Sequence, residues 1–286
     1  MPHARATALT AVTLCLLAAG CAQARPTEDT ADDDAAVSAS MSAGRSTSTD
    51  GAASGAMAGH HRRTGNLHGK VIVIDPGHQL GNASHPEQIT QQVDAGGFLK
   101  DCNSTGTATN GGWPEATFTW RVSQALARQL RDRGATVRLT RHTNSYDDWG
   151  PCIDERGRRG NRLHADAVVS IHGDGASSSV HGFFVIMPAD RKGWTDDIFR
   201  SSHRFGLRVR AGLERAGARA SSSYGGDGLD VRGDLGTLNW SNRPIVLVEL
   251  GNMRSARDAR HMRSPHFRRS VYARGLRKGV THFVLH

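Results

Sequence analysis

Residues 70–78 read KVIVIDPGH: four consecutive β-branched residues that stop at Asp75, Pro76 and Gly77 and present His78. A short apolar run closed by proline and glycine reads as a buried strand. Gly77 is expected to let the backbone turn so that His78 faces whatever lies beyond the strand. The pattern recurs downstream. AVVSIH is a strand ending on His172, GFFVIM is another, and RPIVLVEL carries Glu249 near its end. Helical signals fall between them. PEATFTWRVSQALARQLRDRGA spaces Phe118, Val122, Ala125, Leu126 and Leu130 along one face, with Pro114 suited to a first-turn position. TVRLTR is a short strand, CIDERGRRGNRLHAD and FRSSHRFGLRVRAGLERAG are helices, and residues 266–280 continue as helix. Residues 79–113 read as one long, polar, glycine-rich loop. Strands alternating with helices predict a single α/β domain, a mostly parallel twisted sheet with helices on both faces. Ligands of such sheets lie beyond the carboxyl ends of the strands, and His78, His172 and Glu249 are all at or near such ends.

The amino-terminal region is of another kind. Arg5 precedes an uncharged run over residues 6–20, short for a membrane span and suited to a secretory signal. Leu17-Ala18-Ala19-Gly20-Cys21 looks like a lipobox, which makes residues 1–21 a lipoprotein-type signal and Cys21 the lipid-modified first residue of the mature chain. Ordinary cleavage near Ala24 is the alternative. Residues 22–66 are rich in Ala, Ser, Thr and Asp and almost free of large apolar side chains, so they cannot bury enough surface to offset their ordering entropy. They are expected to be a disordered tether to a domain spanning residues 67–286. Residues 22–50 carry a net charge of −4 and residues 51–286 one of +12. A basic body on an exported chain suits an anionic wall polymer, not nucleic acid.

The signal takes Cys15 and the anchor Cys21, leaving Cys102 and Cys152 in the domain. In an oxidising compartment two cysteines pair most simply as one disulfide, with a Cys–His catalytic pair as the alternative. Glu249, inside an apolar strand, needs either an arginine partner or a pocket in which its raised pKa suits a general base. Glu115, in the first turn of its helix, fits the helix dipole. It equally fits a two-histidine, one-glutamate zinc set with a position left for water. Spacing alone does not choose among fifteen histidines.

VIVIDPGH, PEATFTWRVSQALARQL, GATVRLTR, ERGRRGNRLHADAVVSIH and RPIVLVELGNM occur in the order found in the zinc-dependent N-acetylmuramoyl-L-alanine amidases of the amidase-3 type. The sequence resembles that family over essentially the whole domain. The resemblance implies one Zn2+ bound by His78, Glu115 and His172 at the carboxyl ends of the strands, and a catalytic Glu249. It implies peptidoglycan and muropeptides as substrates, cleaved between N-acetylmuramic acid and L-alanine. No protein partner is implied. Asp174 stands where the family usually has Asn, and Cys102 falls in an extended 79–114 loop. Arg156 and Asn161 look like scaffold residues. Another zinc peptidase acting on wall peptides, or a non-catalytic wall-binding lipoprotein, are the alternatives.

Overall fold

Why the first strand ends where it does is visible in the computed structural model, which describes residues 66–286. Cys21 and all but the last residue of the expected tether lie outside that range. In chain order, β1 (Val71–Pro76) is followed by a 3-10 turn (Leu80–Ser84), α1 (Pro86–Ile89), β2 (Gln92–Asp94), β3 (Leu99–Asp101), α2 (Glu115–Arg131), β4 (Thr136–Leu139), α3 (Ile153–Arg162) and β5 (Ala167–Asp174). Then come β6 (Phe184–Pro188), α4 (Phe199–Glu214), β7 (Leu229–Arg232), α5 (Gly236–Asn239), β8 (Ile245–Asn252), α6 (Ala256–Arg263), α7 (Pro265–Phe267), a π-helical segment (Arg268–Ala273) and α8 (Arg274–Leu285).

Six strands form one sheet in the order β4-β1-β5-β8-β6-β7. β4, β1, β5 and β8 are parallel, whereas β6 runs antiparallel to β8 and parallel to β7. Strand alternation sends Ile72, Ile74, Val169, Val246 and Val248 to a core closed by α2, α4 and α8, with Phe118, Phe205 and Leu276 fully buried there. Val73, Val168, Ile245 and Leu247 face a smaller core on the other side, closed in part by Leu238 of α5. The α4–α8 crossing is backbone-close: a Cβ on Gly279 would lie 2.5 Å from Val209 Cα.

Asp75, fully buried, is the next-to-last residue of β1. Its Oδ1 accepts from Arg156 Nη1 at 2.6 Å and from Thr140 Oγ1, and its Oδ2 from Ser170 Oγ at 2.6 Å. Arg156 spends its other donors on the carbonyls of Pro76, His78, Gly150 and Pro151. The end of β1, the residue after β4, the middle of β5 and the first turn of α3 thus converge on one ion pair.

The expected structureless stretch over residues 79–113 contains α1 and an antiparallel β2–β3 hairpin. Three-residue strands are too short to leave a periodic signal, so composition alone read them as loop. The hairpin is fastened at several points. A Cys102–Cys152 disulfide joins it to the start of α3, Asn239 Nδ2 donates to Ala95 O at 2.7 Å, and Lys100 Nζ donates to Asp234 O at 2.6 Å.

Replacing Arg156 by Met leaves a buried carboxylate and four carbonyls without their donor. The expected loss is about 3–5 kcal/mol in urea unfolding. Burial by itself raises the pKa of Asp75, but Arg156 and the two hydroxyls outweigh it and hold the carboxyl below its usual range. Its contribution is therefore complete above the unfolded value of about 3.9 and lost as pH falls through the lower folded value. Asp75→Asn is expected to flatten the acid limb of a stability–pH curve. Reducing the disulfide, which closes a separation of 50 residues, should cost about 4 kcal/mol, read as a shift of the urea midpoint with dithiothreitol.

Candidate metal centre

Three side chains from distant parts of the chain meet at the carboxyl end of the sheet. Glu115, first residue of α2 and 3% exposed, directs Oε1 to 3.2 Å from His78 Nε2 and 3.0 Å from His172 Nδ1. The two imidazoles stand nearly perpendicular, with ring centroids 4.8 Å apart. One ligand atom from each of the three residues lies within 4.8 Å of the others. They form the single such cluster found among the described residues.

Local backbone explains the approach. The expected turn at Gly77 is corrected by the structure. His78 itself takes the left-handed conformation, with φ of 57°. Gly77 supplies clearance instead, since a Cβ there would lie 2.4 Å from His172 Cε1. His172 lies late in β5, where the strand carries it past Pro76. Glu115 Oε1 also accepts from Gly173 N at 3.1 Å and its Oε2 from Thr107 N at 2.9 Å. Pro114 is the residue just before the helix, which places Glu115 at the first helical position.

The donor set fits a zinc ion. His78 Nδ1 lies 3.1 Å from Ser104 O, so a proton on Nδ1 satisfies that carbonyl and leaves Nε2 as a free ligand. Burial alone would raise the pKa of Glu115, yet the His78 and His172 imidazoles keep it well below the ordinary carboxylate range. An ionised carboxylate and two imidazoles, all on rigid elements, are the donors that catalytic zinc takes.

Glu249 sits on β8 directly across from His172 on β5 and from Phe184 on β6. Its Oε2 is closed to solvent and has no hydrogen-bond partner. No ion pair involves Glu249 among the described residues, which removes the arginine-partner reading. Burial, then the nearby Glu115 and Asp174 carboxylates, push its pKa well above the usual value. Asp174 is turned aside: Tyr224 Oη donates to its Oδ2 at 3.1 Å, and Tyr224 stacks on Phe184 with centroids 3.8 Å apart. Asn161 is a scaffold group, bonded to Trp240 O and Asn242 N.

A cavity of about 560 Å³ opens beside His78 and His172, walled by Leu99 and Lys100 of the hairpin, Ile153, and Thr237. A second, of about 500 Å³, lies by Gly106, Thr107, Gly175 and Arg254. Sequence reasoning missed Ser104, Gly106 and Tyr224. Only Gly106 left a signal, as one glycine in a glycine-rich stretch; a Cβ there would press on both His78 and Glu115 at 2.9 Å.

Comparison with known proteins gives this geometry its family. The profile described as Amidase_3, N-acetylmuramoyl-L-alanine amidase, matches residues 72–282. An N-acetylmuramoyl-L-alanine amidase of Mycobacterium tuberculosis is 38% identical over 220 residues, 77% of this chain and 88% of that one. A probable cell wall amidase of Staphylococcus saprophyticus is 28% identical over 67% of this chain and 51% of its own length. Among solved structures, the amidase Ami1 of Mycobacterium smegmatis superposes with a TM-score of 0.71 at 33% identity, covering 77% of this chain and 98% of that one. Ami1 of Mycobacterium abscessus also gives 0.71, at 38% identity over 76% of this chain and 99% of that one. The chain belongs to the amidase-3 family and is an N-acetylmuramoyl-L-alanine amidase, a hydrolase of peptidoglycan.

Proposed function

We propose that the chain hydrolyses the amide between the lactyl group of N-acetylmuramic acid and the L-alanine of the stem peptide with one Zn2+ held by His78, Glu115 and His172. The observation that carries this reading is the buried, unpartnered Oε2 of Glu249, one strand from His172. When bound, zinc supplies Lewis acidity at the scissile carbonyl and acidifies water. The protein's own groups do the rest. Glu249, with its raised pKa, accepts a proton from the attacking water and returns it to the departing alanine nitrogen. Glu115 stays ionised and fixed by Gly173 N and Thr107 N, so it holds its place and does not compete for that proton.

Residues 1–21 are proposed to act as a lipoprotein signal, with Cys21 acylated and residues 22–66 tethering the catalytic domain, residues 67–286, at the outer face of the cytoplasmic membrane. The lipobox-like LAAGC run supports this reading.

Glu249→Gln is expected to lower kcat on purified muropeptides by about 10²–10⁴-fold with zinc content unchanged. His78→Ala and His172→Ala should instead lose the metal, read by elemental analysis of the purified variants. Mass spectrometry of wild-type digests should show peptides beginning with free L-alanine; peptides cut elsewhere in the stem would overturn the bond assignment. Globomycin should block maturation at Cys21, and an unmodified, freely secreted amino terminus would refute the anchor.

A further inference from the structure

Basic side chains gather around α8, away from the metal centre. Arg133, Arg215, Arg277, Lys278, His282 and His286 line a cavity of about 400 Å³ whose lining, completed by Thr281 and Leu285, contains no Asp or Glu side chain. Among the described residues, Arg215, Arg277 and Lys278 take part in no ion pair. Arg277 Nε donates to the neutral Gln129 Oε1 at 3.3 Å. Its pKa is pushed down, first by burial and then by the cations Arg133 and Arg274. Four cationic side chains thus share one concavity with no acidic side chain in its lining.

Favourable interaction with helix dipoles accounts for part of this. Arg133 and Arg215 follow the carboxyl ends of α2 and α4, where a cation is stabilising. It does not account for Arg277 and Lys278, which lie in the first half of α8. Arginine forks and a lysine around a concavity are the donors that bind phosphate.

The position of the groove narrows the partner. Leu67 N donates to Arg133 O at 2.7 Å, so the first described residues lie beside Arg133, which lines the groove. The other end of α2 carries Glu115, about 25 Å away along a helix of 17 residues. Leu285, 38% exposed, borders the cations. An apolar tip among cations suits a surface with phosphates above and hydrocarbon beneath.

We propose that this groove docks the domain on the anionic phospholipid headgroups of a membrane. The dock then holds this side of the domain at the lipid, and the metal centre is presented away from it. The docking stands on the groove and does not require Cys21 to be acylated.

Flotation with lipid vesicles tests the proposal. The full chain carrying Cys21→Ser, so that no acyl group contributes, is mixed with vesicles of phosphatidylcholine alone or of phosphatidylcholine and phosphatidylglycerol. Binding is expected to favour the anionic vesicles and to weaken with salt. The triple variant Arg215→Gln/Arg277→Gln/Lys278→Gln should lose roughly a hundredfold of that preference. Its activity on soluble muropeptides and its thermal unfolding should match those of the parent. Three outcomes overturn the proposal: no anionic preference in the parent, a preference undiminished in the variant, or displacement from vesicles by soluble wall polyphosphate at equal phosphate concentration, which would make the partner a polymer.

Discussion

The Asp75–Arg156 pair is the constraint on which the rest of the structure depends. A charge pair this deep is expensive to desolvate, and it persists because every donor of the guanidinium and both carboxylate oxygens are used. The pair also fixes direction. By holding the carbonyls of Pro76 and His78, Arg156 sets the path of the backbone just where it must enter the left-handed region to aim the His78 ring. The metal centre is built outward from that fixed path. His172 arrives through parallel pairing with β1, Glu115 through the start of α2, and Glu249 through pairing with β5.

The reversed strand β6 shapes what surrounds the chemistry. Because it runs antiparallel to β8, its first residue, Phe184, falls opposite Glu249 and brings an aromatic surface to the carboxylate. Tyr224 stacks on that ring and takes the oxygen of Asp174, so the departure at residue 174 is absorbed by a hydrogen bond beside the centre and not within it. On the other side the β2–β3 hairpin makes a wall. Its attachment through Cys102 continues into Asn103 and Ser104, and Ser104 is the residue whose carbonyl orients His78.

Much of this was legible in the chain. The strands ending on Asp75, His172 and Glu249 announced themselves as unbroken β-branched or apolar runs, and the helix opening on Glu115 by its spacing. What could not be read has a common cause. The β2–β3 hairpin, β7 and α5 are three or four residues long, too short for periodicity to accumulate, and their form comes from tertiary contacts such as Asn239 to Ala95. The direction of β6 carries no local signature either, since a buried strand reads the same both ways. At Gly77 the sequence suggested a turn, whereas the clearance it gives His172 and the left-handed φ of His78 next to it leave no mark in the sequence.

The four groups of the centre stand at positions 78, 115, 172 and 249, spread over nearly the whole described chain. Their meeting requires β1, β5 and β8 to have paired in the right register and α2 to have docked, so contacts of the longest sequence separation must form first. Hydrolytic competence therefore marks completion: a chain cut short before β8, or paused before that strand is inserted, holds no arrangement in which water could be activated beside a buried base.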